Sequence, residues 1–296
     1  MQQGTLSKTQ NWPLLLPHPA ATNHQIRPFL KWAGGKFRLL DRINRTLPDG
    51  DRLIEPFLGS GSVFLNTNYD AYLVADINQD LINLYQQLKK SPKSFINYCQ
   101  NWFQDSENDK TAYYHWRDVF NQSTDPKERS ALFVYINRHG YNGLCRYNSK
   151  GKINVPFGQY KKPYFPADEM YQFAAKAKQA RFVCADYQTI MGRARAGDVV
   201  YCDPPYVPLT DSANFTSYSQ QGFGLDAQMQ LAIKARSLAK RGVPVVISNH
   251  LNGFTKELYE HARIESFEVR RFISCKGNNR NSVEELLASY LPEDVN

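Results

Sequence analysis

The sequence predicts a mostly parallel α/β sheet, covered by helices on both faces and interrupted by an inserted helical and β-hairpin domain. Three observations carry this. Short apolar runs alternate with helical periodicity from residue 27 to about 90, the alternation lapses from 91 to 171, and it resumes from 172 to the end. Strands alternating with helices imply parallel strands joined by crossover helices, and such sheets bind ligands beyond the carboxyl ends of their strands. The sequence thus divides into a flexible, Pro-containing tail (1–26), a core (27–90 plus 172–296) and an inserted recognition domain (91–171).

The elements follow in order. Arg52-Leu-Ile-Glu-Pro56 is a short apolar strand, Ser62 to Asn66 opens a helix, and Ala71-Tyr-Leu-Val-Ala75 is a second strand. A helix from near Asn78 carries Leu81, Leu84, Tyr85 and Leu88 at helical spacing. The insertion begins with aromatic-rich helical patterns. Its later part is rich in Gly, Asn and Tyr, with Asn148-Ser-Lys-Gly151 as a hairpin turn. Ala180 to Ala185, Asp198 to Cys202 and Val243 to Ser248 read as further strands, with a helix from Leu225 to Lys240 before the last of them. Phe267 to Ile273 and Val283 to Leu291 read as a final strand pair.

Composition narrows the function classes. No apolar run approaches the roughly 18 residues of a membrane span, so no membrane partner is expected. Leu14-Leu15-Leu16, flanked by Pro13, Pro17 and Pro19, is too short for a secretory leader. Five widely spaced cysteines without a Cys-x-x-Cys argue against a disulfide scaffold or structural zinc and favour a reducing cytoplasm. Six histidines without ligand spacing leave no expected metal. The formal charge of +8 matters because it is clustered. From Arg129 to Ala167 no acidic residue occurs, whereas Arg129, Arg138, Arg146, Lys150, Lys152, Lys161 and Lys162 interleave with Tyr135, Tyr141, Tyr147, Phe157, Tyr160, Tyr164 and Phe165. Such a stretch can be a solvated basic loop. The interleaved aromatics favour nucleic acid, where cations neutralise phosphates and rings stack on bases.

Glu55-Pro-Phe-Leu-Gly-Ser-Gly-Ser62 lies between a strand and a helix, and Asp76 ends the next strand, 17 positions beyond Gly59. Glycines let the backbone approach a ligand, and the carboxylate suits a ribose diol. A dinucleotide fold would want a third glycine at position 64, where Phe64 stands. The mismatch favours S-adenosylmethionine, which has a ribose but no pyrophosphate, over NAD. Ahead of the first strand, Phe29-Leu-Lys-Trp-Ala-Gly-Gly-Lys36 places an indole and two lysines around a flexible turn.

Asp203-Pro204-Pro205-Tyr206 follows the strand ending at Cys202. An exocyclic amine of adenine or cytosine is a poor nucleophile because its lone pair is delocalised into the ring. Two acceptors on its hydrogens, the Asp203 carboxylate and the Pro204 carbonyl, would localise that pair. Consecutive prolines hold the carbonyl in place, and Tyr206 offers a stacking face. Positioning near a methyl donor then suffices. Cys202 reads as a core residue. A base inside a duplex must be flipped out, as is general for DNA methyltransferases.

Together these segments resemble the DNA adenine-N6 methyltransferase (Dam) family. The resemblance runs from about residue 27 to the end. Phe29 to Lys36, Glu55 to Ser62, Ala75-Asp-Ile-Asn78 and Asp203 to Tyr206 occur in that family's order. Asn137 to Asn148, Asn154 to Phe165, Asn214 to Tyr218 and Ile247 to His250 are similar as well. The resemblance implies a Rossmann-like methyltransferase core, GATC as target, double-stranded DNA as partner and action as a monomer. It implies cofactor contacts from Trp32, Lys36, Glu55, Phe57, Gly59, Asp76 and Asp203. Tyr141 and Asn142 would lie near the disturbed base stack, Arg146 would read a guanine, and Leu144 and Pro156 would touch thymine methyls. Lys31, Arg138 and Tyr160 would be further DNA contacts, and Lys161, from the basic stretch, is expected to meet phosphate. Ser60 departs from the family's usual small residue, and residues 1–26 have no counterpart. Placement beside a restriction nuclease or on a phage genome would keep the same chemistry. Loss of catalysis is disfavoured by the intact residues 203–206, and an NAD oxidoreductase by Phe64.

Overall fold

The computed structural model describes residues 25–206, 223–270 and 282–294. Seven strands form one sheet: β1 (Arg52–Glu55), β2 (Ala71–Asp76), β3 (Ala180–Cys184), β4 (Asp198–Cys202), β5 (Val245–His250), β6 (Arg263–Arg270) and β7 (Ser282–Tyr290). Their order is β3-β2-β1-β4-β5-β7-β6. The first five are parallel, and β7 runs antiparallel between β5 and β6. All five residues of β4 are buried, which explains its unbroken apolar reading: a central parallel strand is covered on both faces.

Successive side chains point to opposite faces, and two separate hydrophobic clusters result. Leu53, Tyr72, Val74, Val199 and Tyr201 face one side with Phe29, Phe64 and Tyr85. Ile54, Leu73, Ala75, Val200, Cys202 and Ile247 face the other with Leu231, Ala235 and Leu238. Phe64 meets Tyr72, Phe173 and Phe182 edge-on; it packs its helix onto the sheet where a dinucleotide fold would need glycine. Cys202 is fully buried, as expected of a core residue.

The helices are α1 (Leu40–Thr46), α2 (Ser62–Leu65), α3 (Gln79–Lys90), α4 (Pro92–Gln100), α5 (Lys110–Gln122), α6 (Pro126–His139), α7 (Ala167–Ala177), α8 (Tyr187–Met191), α9 (Leu225–Ala239) and α10 (Gly253–Leu258). Asn78 caps α3 by accepting from the Leu81 N–H, and Asp125 with Pro126 starts α6. Helix α2 stops after one turn, since the Asn66 amide turns back to the Ser62 and Ile26 carbonyls. The Ile26 N–H returns a bond to that same amide, so Ile26, expected in the tail, joins the core's contacts. Helix α7 runs through position 171, the expected end of the insertion. Tyr113, Phe120, Tyr135 and Val155 share one hydrophobic cluster with Phe29 and Tyr85.

Two strand starts differ from expectation by two residues or more. The strand expected from Val243 begins at Val245, because the Val243 N–H closes the end of α9 on the Leu238 carbonyl and Pro244 has no N–H to give. The strand expected from Phe267 begins at Arg263. Residues 263–266 are exposed, so the ladder to β7 holds them without an apolar pattern to signal it. The hairpin turn is present: Tyr147 bridges Ile153, and the Asn148 N–H bonds the Lys152 carbonyl. Residues 271–273 of the expected strand and the Asn214–Tyr218 segment lie outside the described residues.

Candidate active site

Glu55, Asp76, Cys202 and His250 end β1, β2, β4 and β5, so the segments that follow gather at one edge of the sheet. The order reverses between β1 and β4, where an open α/β sheet leaves a crevice. Glu55 and Asp203 leave the two strands flanking this point.

Gly59 adopts φ +50°, and a Cβ there would lie 2.8 Å from Trp32 Nε1. Glycine is therefore required both by the backbone and by the indole against it. The Gly59 N–H donates to Asp76 Oδ2 (3.0 Å) and the Asn78 N–H to Asp76 Oδ1 (2.9 Å). Burial lifts the Asp76 carboxyl above its ordinary range, against the backbone donors at Asn78, Gly59 and Ile77. Glu55 is 3% exposed and its Oε1 has no hydrogen-bond partner among the described residues; burial, then the Asp203 charge, raises it well above the usual value. Phe57 stacks on Tyr187 (5.6 Å between centroids) and meets Phe223 edge-on (5.3 Å). Ser60 is buried and its hydroxyl lies 3.3 Å from that of Ser62, so the departure at this position is accommodated.

Asp203 is held from one side. Lys36 Nζ pairs with Oδ1 at 2.8 Å, and the Ser248 hydroxyl donates to the same oxygen at 2.9 Å. Oδ2 has no partner among the described residues. Burial raises the Asp203 carboxyl, with Lys36 and Ser248 opposing. Lys36 also donates to the Gly34 carbonyl (2.7 Å) and sits 4.5 Å from the Tyr206 ring centroid. The Pro205 carbonyl accepts from Gln228 Nε2 (2.7 Å), whose amide oxygen accepts from Asn249 Nδ2 (3.1 Å). The Pro204 carbonyl has no donor among the described residues. Tyr206 donates its hydroxyl to Glu285 Oε2 (3.1 Å) and packs edge-on against His250.

Ser248, Gln228 and Glu285 received no role from the sequence. Two signals were available. Ser248 stands near the carboxyl end of a core strand, and Gln228 is a polar residue on the helix face of Leu231, Ala232 and Ala235.

The insertion's residues separate into presenters and supports. Tyr141, Asn142, Leu144, Arg146, Pro156 and Lys161 are exposed. Arg146 is braced by Asn154, through its Oδ1 (2.8 Å) and its carbonyl (3.1 Å). Lys31 Nζ lies 4.0 Å from the Tyr160 ring centroid. Arg138 is turned to the Tyr164 and Phe29 carbonyls. Arg129 does not join the basic face: it forms a fork onto Asp80, which also accepts from the Tyr147 hydroxyl. Nor do most of the aromatics. Tyr135 is buried, Phe157 packs on Tyr113 and Phe165 on Phe103, leaving Tyr141 and Tyr164 exposed. The packed rings instead extend the hydrophobic cluster of the sheet's Phe29 face into the insertion. His139 is buried there too, pushed down to about 4 by desolvation. Among the described residues no group of His, Cys, Asp or Glu is arranged to hold a metal.

Residues 32–273 match the family model of the D12 class N6 adenine-specific DNA methyltransferases. The chain is 52% identical over 266 residues to the DNA adenine methylase of Escherichia coli K12, covering 90% of this chain and 96% of that one. It is 53% identical over 265 residues to that of Serratia marcescens (89% and 98% covered). To that of Vibrio cholerae serotype O1 it is 52% identical over 267 residues (90% and 96% covered).

Proposed function

Because this chain belongs to the D12 class of N6 adenine-specific DNA methyltransferases, we propose that it methylates adenine N6 within GATC, with the base turned out of the duplex into the pocket of Asp203, Pro204 and Tyr206. The observation that supports this reading best is the one-sided hold on Asp203. Lys36 and Ser248 occupy Oδ1, which leaves Oδ2 and the Pro204 carbonyl to serve as two acceptors for two amine hydrogens. Accepting from both draws the nitrogen toward tetrahedral geometry and concentrates its lone pair. The Gln228 bond to the next carbonyl, that of Pro205, fixes the turn, so the geometry is set before the base arrives. Tyr206, anchored through its hydroxyl to Glu285, presents its ring to the base. The raised affinity of Asp203 for a proton lets it take up the amine proton released on alkylation.

S-adenosylmethionine, when bound, supplies the sulfonium methyl. The residues fit it. Asp76 carries acceptor oxygens for a ribose diol, Gly59 lets the Trp32 indole lie against the loop backbone, and the buried Glu55 Oε1, without a donor among the described residues, is placed to accept from an ammonium group. Phe57, with Tyr187 and Phe223, offers flat apolar surface to a purine.

On the DNA side, Tyr141, Asn142, Leu144, Arg146 and Pro156 would face the bases, with Lys31, Arg138, Tyr160 and Lys161 in support. Expression in a methylation-deficient host, followed by digestion with nucleases that differ only in their tolerance of methylated GATC, tests the target. Resistance of GATC sites in those cells is the expected result; full sensitivity would refute the assignment.

A further inference from the structure

Asn137, near the end of α6, is 2% exposed, with its amide oxygen and both amide N–H groups engaged. Its Oδ1 accepts from the Lys31 N–H (2.9 Å), and its Nδ2 donates to the Lys31 carbonyl (2.8 Å) and to the Gly143 carbonyl (3.1 Å). Holding both backbone groups of Lys31 leaves the amide only one satisfactory orientation. The same contact is tight in packing. Gly143 has φ +64°, and a Cβ there would lie 2.2 Å from the Lys31 Cβ. Asn142, at φ +54°, donates its N–H to the Tyr160 hydroxyl, and the Tyr160 ring carries Lys31 Nζ. One residue along, Trp32 lies against Gly59, and five along, Lys36 pairs with Asp203.

The loop that presents Tyr141 and Asn142 and the turn that carries Trp32 and Lys36 therefore meet at one backbone position with no slack between them. We propose that Asn137 is a positioning residue that couples target recognition to the cofactor site: engagement of the 141–144 loop by the correct duplex is transmitted through Lys31 to Trp32 and Lys36. This rests on the reading of the two loops given above. Such coupling is a difference in affinity and is reciprocal, so it is measurable without turnover.

The test measures binding of S-adenosylhomocysteine by calorimetry in the presence of a saturating GATC duplex and of a duplex with one base pair of the site exchanged. The wild type is expected to bind several-fold more tightly with the GATC duplex, within the roughly 5–150-fold span of such couplings. In N137A, and in N137D, which keeps size and the acceptor for the Lys31 N–H, that ratio should fall toward one. Thermal unfolding identifies the variants that remain folded, and N137D serves if N137A does not. A wild-type ratio of one, or a ratio undiminished in a folded variant, overturns the coupling. Equal loss of affinity with both duplexes overturns it too, since a merely structural role predicts that. Failure of the wild type to methylate GATC would instead refute the functional reading itself.

Discussion

Replacing Lys36 by methionine removes one partner of a buried ion pair while keeping much of its packing volume. Lys36 is 6% exposed and Asp203 21%. Breaking a buried pair from one side costs about 3–5 kcal/mol, because the remaining charge is left uncompensated. Asp203 keeps some access to water and the Ser248 hydroxyl, so a loss of about 2–3 kcal/mol is expected at pH 8. The pH dependence carries the stronger test. Asp203 already lies above its ordinary range because burial outweighs Lys36 and Ser248, and loss of Lys36 raises it further. A carboxyl raised on folding contributes stability that is present below its unfolded pKa and lost as pH rises through the folded one. The variant's deficit should therefore be largest at pH 8 and shrink as pH falls through the raised Asp203 value, where the carboxyl takes up a proton. Urea denaturation followed by tryptophan fluorescence reads this. Adding Asp203→Asn should return at least about 1 kcal/mol at pH 8, by removing the stranded charge. A deficit independent of pH, or no recovery in the double variant, would show that Lys36 matters only as packing.

Gly59→Ala should strain a left-handed position by about 1–2 kcal/mol and push the Trp32 indole away from the loop, lowering S-adenosylmethionine affinity at least tenfold; unchanged affinity in a binding titration would count against a cofactor role for this contact. Arg146→Ala should cost about 1–3 kcal/mol of discrimination at one base pair, read by methylation of single-substitution duplexes, and an unaltered preference would remove Arg146 from the reading set. Lys161→Ala should weaken binding to all duplexes alike and shallow the salt slope by about one; a sequence-selective loss contradicts a phosphate role.

The parallel core was legible because its central strands are apolar throughout and its capping is local: Asn78 announces α3 from its own position. Chain-local chemistry, such as Asp203 to Tyr206 after β4, was legible for the same reason. What escaped depends on contacts between distant segments. Gln228 reaches Pro205 across 23 positions and Asn137 reaches Lys31 across 106, and no periodicity marks such a pair. The basic, aromatic insertion misled in part because composition cannot separate a ring that stacks on a base from one that packs into the core. Arg129 is the sharpest case: its charge is spent on Asp80 and the carbonyls of Phe120 and Ser123. The first four residues of β6 escaped because they are exposed and are held by backbone pairing alone.

Single-turnover transfer of labelled methyl from S-adenosylmethionine to a GATC duplex, with the product nucleoside identified by mass, tests most directly whether Asp203 helps make the adenine amine nucleophilic. The wild type should yield N6-methyladenine. Asp203→Ala should lose transfer by at least a hundredfold (about 2.7 kcal/mol of transition-state stabilisation), while binding the duplex with little change. Transfer at the wild-type rate by Asp203→Ala, or a methylated cytosine in place of adenine, would contradict it.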